Sequence, residues 1–476
     1  MADSANFRRV RFEWVAPTPL TTKSVITLDE RSASNERQRH ADFVDQLHTY
    51  GYIAGIGAAT PKDELLALLQ VAVEVEHSLL VQYLYAAASI RSDTVNGVIR
   101  DIAVQEMAHL ITVENLLLAV GGPGVFHIGR DTARATSSFN PLPLNIEPVT
   151  KLTLSEYVLV EQPATIPPDK AEVQAKVREL EKLVVTQTGL HPHRVGALYA
   201  KIYWILQPTD DPFGPVALIP DPNIGFNPGW HLKPTDFTSA DVITRHQAGP
   251  DEWHTSSGPD MKIELVTDAA TAVNAVNVIM AQGEGLTHAV ESHFYKFLDA
   301  LKQFEAGTVS VSPLPKNPFV GHLPLGVTKG TPLTHPYVKL WANLLNVRYS
   351  ALLLTIGQAL LTPRTDSDRP LLIQVAFDDM MPHLKGLIVQ MLSPAMFRLD
   401  RDSAPTFELL REDMPPSLKE CWPRQSQLLD IEKGIRGELR SRPELVSDIA
   451  GTTRLNDLET NWQDLRAFVD AHLAGA

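Results

Sequence analysis

The sequence predicts an all-α protein, in which a helical bundle is interrupted by a long loop-rich insertion and followed by an extra helical region. Three observations lead to this fold class. Apolar residues recur at helical spacing over residues 60–122 and again over residues 266–395. Prolines cluster between those segments, in residues 123–265. Residues 396–476 then contain two charged stretches with a helical pattern, near 424–440 and 455–473.

The composition narrows the classes of function. The chain has 476 residues and a formal net charge of −14 without a basic run, which argues against nucleic acid or an anionic membrane as partner. The single cysteine, Cys421, excludes an internal disulfide framework and a thiolate metal cluster, and it fits a reducing cytoplasm. The N-terminus lacks a signal-peptide core, and no run of 18 apolar residues predicts a membrane span.

The first two helices are predicted to form an antiparallel hairpin. Helix one begins with Thr60 as N-cap and Pro61 at the first helical position, and it runs to about residue 90. Helix two runs from about residue 94 to residue 120, where Gly121-Gly122-Pro123 ends it. The connection is short, so the two long helices should lie side by side.

The regions that flank this hairpin are less regular. Residues 1–59 are expected to be an N-terminal arm. We interpret residues 123–265 as an insertion with two helices of its own, near 170–188 and 194–206. Long irregular insertions in compact domains usually build a lid or a binding surface, so a lid over a pocket is expected here.

Three further helices are predicted in the second half of the bundle. The third begins at about Thr267 and continues past residue 300. The fourth has Thr334 as its N-cap. The fifth runs from about Arg369 to Met391, and Pro382 should kink it.

Glutamates on the first two helices predict a metal site. Glu76 lies on helix one, and Glu106 and His109 form a Glu-x-x-His pair on one face of helix two. This arrangement is half of a carboxylate-bridged dimetal site in a four-helix bundle. A glutamate within an apolar helix is costly to bury unless it is paired or binds metal. Tyr83 is two turns from Glu76 and is expected to hydrogen-bond the cluster, although a core role is the simpler alternative.

The third helix carries the next candidate ligands, in the sequence QGEG and after it. Glu284 is predicted to be a ligand, because two helix-weakening glycines flank it. On a straight helix Glu284, His288 and Glu291 share one face and His293 points away. A bulge or break at Gly285 would turn His293 inward, so both arrangements stay open.

The fourth helix cannot supply a second Glu-x-x-His, because it has no Asp or Glu between residues 335 and 361. Asp379 and His383, four residues apart on the fifth helix, are an alternative ligand pair, although a surface pair is the more ordinary interpretation. Asn346 and Tyr349 face the same way and are predicted to line a pocket with a catalytic role.

Several segments resemble the ferritin-like family of the iminophenylpyruvate dimer synthase type, which acts in violacein and indolocarbazole pathways. The resembling segments are AVEVEHSLLVQYLYA (72–86), IAVQEMAHLITVENLLLAVGG (102–122), VGALYAKI (195–202), QGEG with ESHFYKF (282–297), NVRYSALLLTIGQAL (346–360) and APTFELL (404–410). The resemblance implies a ferritin-like bundle, and a histidine recurs at the position of His293, which favours His293 as a ligand.

The metal pattern and this resemblance together lead us to expect a non-haem diiron enzyme. Carboxylate and imidazole ligands suit iron, with manganese as the alternative. Two iron ions would react with dioxygen or peroxide and oxidise a small molecule, by resemblance an amino-acid-derived or aromatic precursor. Iron storage and a metal-free helical binding protein are the competing functions, and a homodimer is left open.

Overall fold

The structure is a computed structural model, and it is almost entirely α-helical. It describes residues 14–15, 52–53, 57–130, 144–163, 166, 168–190, 194–207, 229–254, 261–283, 292–323, 327–410 and 414–475. The strands found there are two short pairs, antiparallel β1 (Trp14–Val15) with β2 (Tyr52–Ile53) and parallel β3 (Pro318–Phe319) with β4 (Thr331–Pro332). The predicted all-α helical-bundle class is confirmed.

The first two helices form the predicted hairpin. Helix α1 (Pro61–Ser89) begins where the Thr60 hydroxyl accepts the backbone N–H of the third helical residue at 3.1 Å. Helix α2 (Asp93–Gly121) ends at Gly122, whose φ of 77° favours glycine. The two helices pack along their length, and both bury an apolar stripe in the core.

The described part of residues 123–265 contributes four α-helices: α3 (Lys151–Val160), α4 (Ala171–Thr188), α5 (Val195–Leu206) and α6 (Ala240–His246). Two of them lie where the sequence predicts helices, and α3 and α6 were not predicted. Helix α5 is buried along its whole length and packs against α1. This segment therefore supplies core helices next to the hairpin as well as loops.

The predicted third helix is interrupted. Helix α7 (Ala269–Gly283) and helix α8 (His293–Glu305) are separate elements, and Ser292 before α8 has an extended backbone with ψ of 156°. Helix α8 packs on α3 and also contacts α2. Because a new helix begins at His293, the face of residue 293 is not fixed by the face of α7.

The predicted fourth and fifth helices lie at the side of the molecule that carries the C-terminal helices. Helix α9 (Pro336–Leu361) has His335 as its N-cap residue, so Thr334 was the wrong cap, and Thr334 instead binds the Asp400 carboxylate through its backbone N–H. Helix α10 (Asp368–Asp378) continues through a π-helical turn (Asp379–Leu384) into α11 (Lys385–Met391). The turn contains Pro382, where the sequence predicts a kink.

The remaining helices are α12 (Pro394–Leu399), α13 (Leu418–Arg440) and α14 (Ile449–Gly475). Helix α13 packs on α9 and on α14.

Two helices are long and apolar enough to cross a membrane by length and composition, Thr94–Gly121 and Pro336–Leu361. Within the protein, 83% and 94% of their apolar windows are buried. They are core helices of this fold.

Candidate metal centre

Five buried ionisable side chains converge between α1, α2, α3 and α8. Glu76 comes from α1, Glu106 and His109 come from α2, Glu161 follows the last residue of α3, and His293 is the first residue of α8. None of the five is more than 3% exposed. They form two groups of three, in which the ligand atoms lie within 4.8 Å of one another, and the two groups share Glu106.

The two oxygens of Glu106 face different histidines. Its Oε2 lies 2.8 Å from His109 Nδ1, and its Oε1 lies 3.0 Å from His293 Nδ1. A carboxylate that points one oxygen at each of two positions is placed to bridge two cations. Glu106 therefore stands at the middle of a two-position site.

The two outer carboxylates are arranged alike. Glu76 Oε2 is 3.6 Å from His109 Nδ1, and Glu161 Oε2 is 3.7 Å from His293 Nδ1. The other oxygen of each accepts a tyrosine hydroxyl, from Tyr199 to Glu76 Oε1 and from Tyr83 to Glu161 Oε1, the latter at 2.6 Å. Each half of the site thus has one glutamate, one histidine and one tyrosine. We call them the His109 half and the His293 half.

The far nitrogens of both histidines contact glutamine side chains. His109 Nε2 lies 3.0 Å from Gln282 Oε1 at the end of α7, and His293 Nε2 lies 3.0 Å from Gln105 Oε1 on α2. Both glutamines are only partly buried, at the outer edge of the site. The Nδ1 atoms consequently face the carboxylates in both halves.

Several atoms of this cluster are buried without a hydrogen-bond partner: Glu76 Oε2, Glu106 Oε1 and His293 Nδ1. Glu106 Oε1 and His293 Nδ1 lie 3.0 Å apart without hydrogen-bond geometry, so their ion pair offsets only part of the cost of losing water. These three atoms are the same atoms that point at the two ligand groups, so a pair of metal ions would satisfy them. A set of three carboxylates and two imidazoles suits iron or manganese.

The close approach of ionisable groups shifts the pKa values of Glu76 and Glu106 in opposite directions. Burial and the neighbouring Glu106 raise the pKa of Glu76 to about 8. Burial also disfavours the charge on Glu106, but His293 and His109 outweigh it and lower the pKa of Glu106 below its usual range. Burial lowers the pKa of both histidines, and the Glu106 charge more than reverses this. The pKa shifts thus favour the ionised form of Glu106 and the protonated form of Glu76.

A small cavity lies against the cluster on the side of α5 and α7. Its volume is about 20 Å³, which is room for about one water-sized molecule. Beside the cluster carboxylates and His109, it is lined by Leu79, Val195, Tyr199, Ile279, Met280 and Gly283. A Cβ atom at Gly283 would lie 3.0 Å from Glu161 Oε2, so the absence of a side chain there keeps the space beside that carboxylate open.

The structure brings Glu76, Glu106, His109 and His293 of the predicted ligands together, with Tyr83 hydrogen-bonded to the cluster through Glu161. Glu284, which was predicted as a ligand, lies outside the described residues, as do His288 and Glu291.

Asn346 and Tyr349 belong to neither group of candidate ligands. Asn346 binds the segment after α12, accepting the Thr406 hydroxyl at 2.8 Å and the Glu408 backbone N–H at 2.9 Å. The Tyr349 hydroxyl contacts Nε2 of His77, the residue after Glu76. Neither Asn346 nor Tyr349 lines the cavity beside the metal centre.

The alternative ligand pair on the fifth helix is not at the site. Asp379 is fully buried and pairs with Arg348 Nη1 at 3.0 Å. Glu114, another glutamate of α2, is also outside the site: it is fully buried and accepts the backbone N–H of His127 at 3.1 Å.

Sequence reasoning missed Glu161, Tyr199, Gln105 and Gln282. Glu161 follows a short helix in the proline-rich insertion, and nothing in its spacing connects it to Glu106. The available signal was a glutamate directly after the apolar run YVLV, a position from which a side chain enters the core. Tyr199 lies in the apolar stretch VGALYAKI, where a buried hydroxyl requires a partner.

Comparison with known proteins gives a family match and a partial relative. Residues 69–302 match the ferritin-like family. That region includes all five cluster residues. A 2-imino-3-(indol-3-yl)propanoate dimerase from Chromobacterium violaceum is 31% identical over 162 residues, covering 26% of this chain and 16% of the relative. The match thus spans about a sixth of that enzyme's length.

A solved structure of a ferritin-like protein from Caulobacter vibrioides is also similar to this chain. It is 17% identical, with a TM-score of 0.37, and the similarity covers 72% of this chain and 96% of that one.

Proposed function

We propose that the protein is a non-haem diiron enzyme that oxidises a small organic molecule. The observation that carries this proposal is the two-position cluster around Glu106, with three buried atoms that have no hydrogen-bond partner. Glu76, Glu106 and His109 would hold one ion, and Glu106, Glu161 and His293 the other. When bound, two iron ions supply redox chemistry with dioxygen or peroxide, and manganese is the alternative metal.

The residues around the cluster have separate tasks in this proposal. The Tyr83 and Tyr199 hydroxyls donate to the outer carboxylates, so that the second oxygen of each faces the metal position. The apolar side chains of Leu79, Ile279 and Met280 keep bulk water from the open side of the centre. The cavity of about 20 Å³ admits a molecule of the size of dioxygen or peroxide.

The substrate class comes from the similarity to the Chromobacterium dimerase, whose name describes a substrate derived from an indole-bearing amino acid. We extend this to an amino-acid-derived or aromatic precursor. The enzyme would work in the cytoplasm, which agrees with the buried free thiol of Cys421. The reaction on that precursor, a homodimer and a lid formed by residues 123–265 stay predictions.

Metal analysis of the purified protein tests the proposal. Anaerobic loading with ferrous iron and removal of excess should leave about two irons per chain. Glu106→Ala with His109→Ala should abolish binding, since the shared carboxylate serves both positions. His293→Ala alone should leave one ion. Glu74→Gln is a matched control, because Glu74 is another buried glutamate of α1, paired instead with His127 Nε2 at 2.6 Å.

The alternatives give different results in the same experiment. A storage protein of the ferritin type would hold many irons per chain in a large symmetric assembly. A metal-free helical binding protein would take up no iron and would be indifferent to Glu106→Ala. Full stoichiometry in the Glu106→Ala/His109→Ala variant would refute the assigned ligands.

A further inference from the structure

We infer that Gln105 and Gln282 are positioning residues, each of which fixes the ring and tautomer of one metal-binding histidine and thereby sets the affinity of one half of the centre. The inference rests on the proposed function. Its basis is a repeated contact: in each half, a histidine Nδ1 faces the carboxylates and its Nε2 lies 3.0 Å from a glutamine Oε1.

The Gln105 contact fixes the direction of the hydrogen bond. The Lys296 ammonium, which can only donate, lies 3.4 Å from the same Gln105 Oε1. The amide oxygen therefore faces both groups, and His293 Nε2 must be the donor. In a neutral imidazole the proton is then on Nε2, and the lone pair of Nδ1 points at Glu106 and Glu161.

The contact in the other half has the same geometry but comes from a different element. Gln282 lies at the end of α7, one residue before Gly283, and reaches His109 across the helix interface. Gln105 lies on α2, directly before Glu106. Two separate helices thus present the same amide oxygen to equivalent nitrogens.

An amide acceptor differs from a carboxylate acceptor in the charge that it places beside the histidine. A histidine ligand usually donates its second N–H to a carboxylate, carbonyl or water, and this partner holds the ring and raises its basicity. A glutamine holds the ring without adding negative charge. The site already has three carboxylates. Neutral acceptors add no further charge, so they act on the metal affinity only through the orientation of the histidine rings.

Each glutamine should act on one ion only. Gln282→Leu removes the acceptor of His109, and Gln105→Leu removes that of His293. In calorimetric titrations of the metal-free protein with ferrous iron, each variant should bind one ion as the wild type does and the other about 10–100-fold more weakly. Gln282→Glu and Gln105→Glu keep an acceptor at that position and should restore binding to at least the wild-type affinity.

A double-mutant cycle separates positioning from general structural damage. Gln282→Leu should have no further effect in a His109→Ala background, because its histidine is gone. It should still weaken the remaining ion in a His293→Ala background. Gln303→Leu is the matched control, since Gln303 on α8 hydrogen-bonds the exposed Asp299 at 2.8 Å and should leave both affinities unchanged.

The outcomes distinguish this inference from the function on which it rests. If the wild type binds no iron, both are overturned. If it binds two ions and the leucine variants bind them equally well, only the role of the glutamines is wrong. An equal loss at both positions, or a matching loss of stability in the metal-free protein, would likewise overturn the positioning role.

Discussion

Two of the buried clusters of charged side chains among the described residues differ in what compensates the charge. In the metal centre, the ion-pair partners of Glu76, Glu106 and Glu161 are histidines. The second cluster lies between α9, the π-helical turn, α13 and α14, and arginines pair with its carboxylates. We call it the arginine cluster, and its members are Arg348, Asp379, Glu432, Arg436 and Glu459.

The arginine cluster carries its own counter-charges. Arg348 Nη1 lies 3.0 Å from Asp379 and its Nε lies 2.9 Å from Glu432, while Arg436 Nε lies 3.2 Å from the other oxygen of Glu432. The metal centre has three carboxylates and two imidazoles that are neutral when they bind metal. Without metal, protons on Glu76 and on the two histidines offset this charge, because the pKa of each of these groups is raised; cations would take their place in the metal-loaded protein. A buried cluster that pairs its carboxylates with permanently charged arginines is structural, and one that balances them with exchangeable protons is a candidate for a metal site.

The largest expected effect comes from breaking the arginine cluster. Arg348→Met leaves Asp379 and Glu432 with less positive charge nearby, and should lower the free energy of unfolding by about 3–5 kcal/mol in urea titrations. Arg348→Lys should lose less, because it keeps a charge. Arg245→Met, which breaks the exposed pair with Asp241, is the control and should cost at most about 1 kcal/mol.

The iron content of Arg348→Met shows whether the loss of stability also affects the metal centre. The folded fraction of Arg348→Met should still bind two ions, because the arginine cluster is separate from the metal centre. A loss of stability no larger than that of Arg245→Met would contradict a structural role for the cluster.

The next effect concerns Asn346, which the sequence placed in a pocket. Asn346→Ala removes the acceptor of Thr406 and of the Glu408 backbone, and the donor to Glu408 Oε2 at 3.0 Å. Because buried partners are left unpaired, we expect a loss of about 1–3 kcal/mol in unfolding free energy with unchanged iron content. Unchanged stability together with lower turnover would instead support the catalytic role that the sequence suggests.

A smaller effect tests the open space beside Glu161. Gly283→Ala places a Cβ atom 3.0 Å from Glu161 Oε2, so the ion of the His293 half should bind roughly tenfold more weakly. Metal-free stability should stay equal or rise by up to about 1 kcal/mol, since alanine favours the helix. Gly97→Ala on α2 meets no atom within 4 Å and is the control. Equal affinities in both variants would show that Glu161 moves freely.

These two clusters also show which residues could be predicted from the sequence. We could predict Glu76, Glu106 and His109 because they lie on two long helices. The apolar spacing and the terminal residues of these helices can be recognised in the local sequence. Thr60, Pro61 and the glycines after residue 120 fixed those ends closely. His293 was left open, because its direction depends on an interruption that a helical pattern does not reveal.

The missed residues are those placed by tertiary packing. Glu161 reaches the site from the residue after α3, and α3 is held there by its packing against α8. Arg348 stood in an apolar helix without acidic residues, and its partners came from residues 379 and 432 on other elements. A fully buried arginine requires a counter-charge. The apolar helix around Arg348 therefore indicates that this residue needs an acidic partner, but the sequence does not show which residue supplies it.

The smallest effect is a pH dependence at the edge of the arginine cluster. His383, in the π-helical turn, is half-buried. Burial and the charges of Arg348 and Arg454 lower its pKa to about 4, against the opposing effect of Asp378 and Asp457. A folded-state pKa below the unfolded value of about 6.5 gives stability that is present above pH 6.5. That stability is lost as the pH falls from 6.5 through 4.

The comparison of wild type with His383→Gln isolates this term, because glutamine stays neutral throughout the range. Unfolding free energies measured in urea at pH 7 and pH 4.5 should fall further for the wild type, by about 1 kcal/mol after allowance for partial solvent exposure. Equal losses in the two proteins would mean that the pKa of His383 is not lowered in the folded protein. A larger loss in the wild type would show that its surroundings disfavour the charged imidazole, chiefly through burial, with the Arg348 charge adding to that effect.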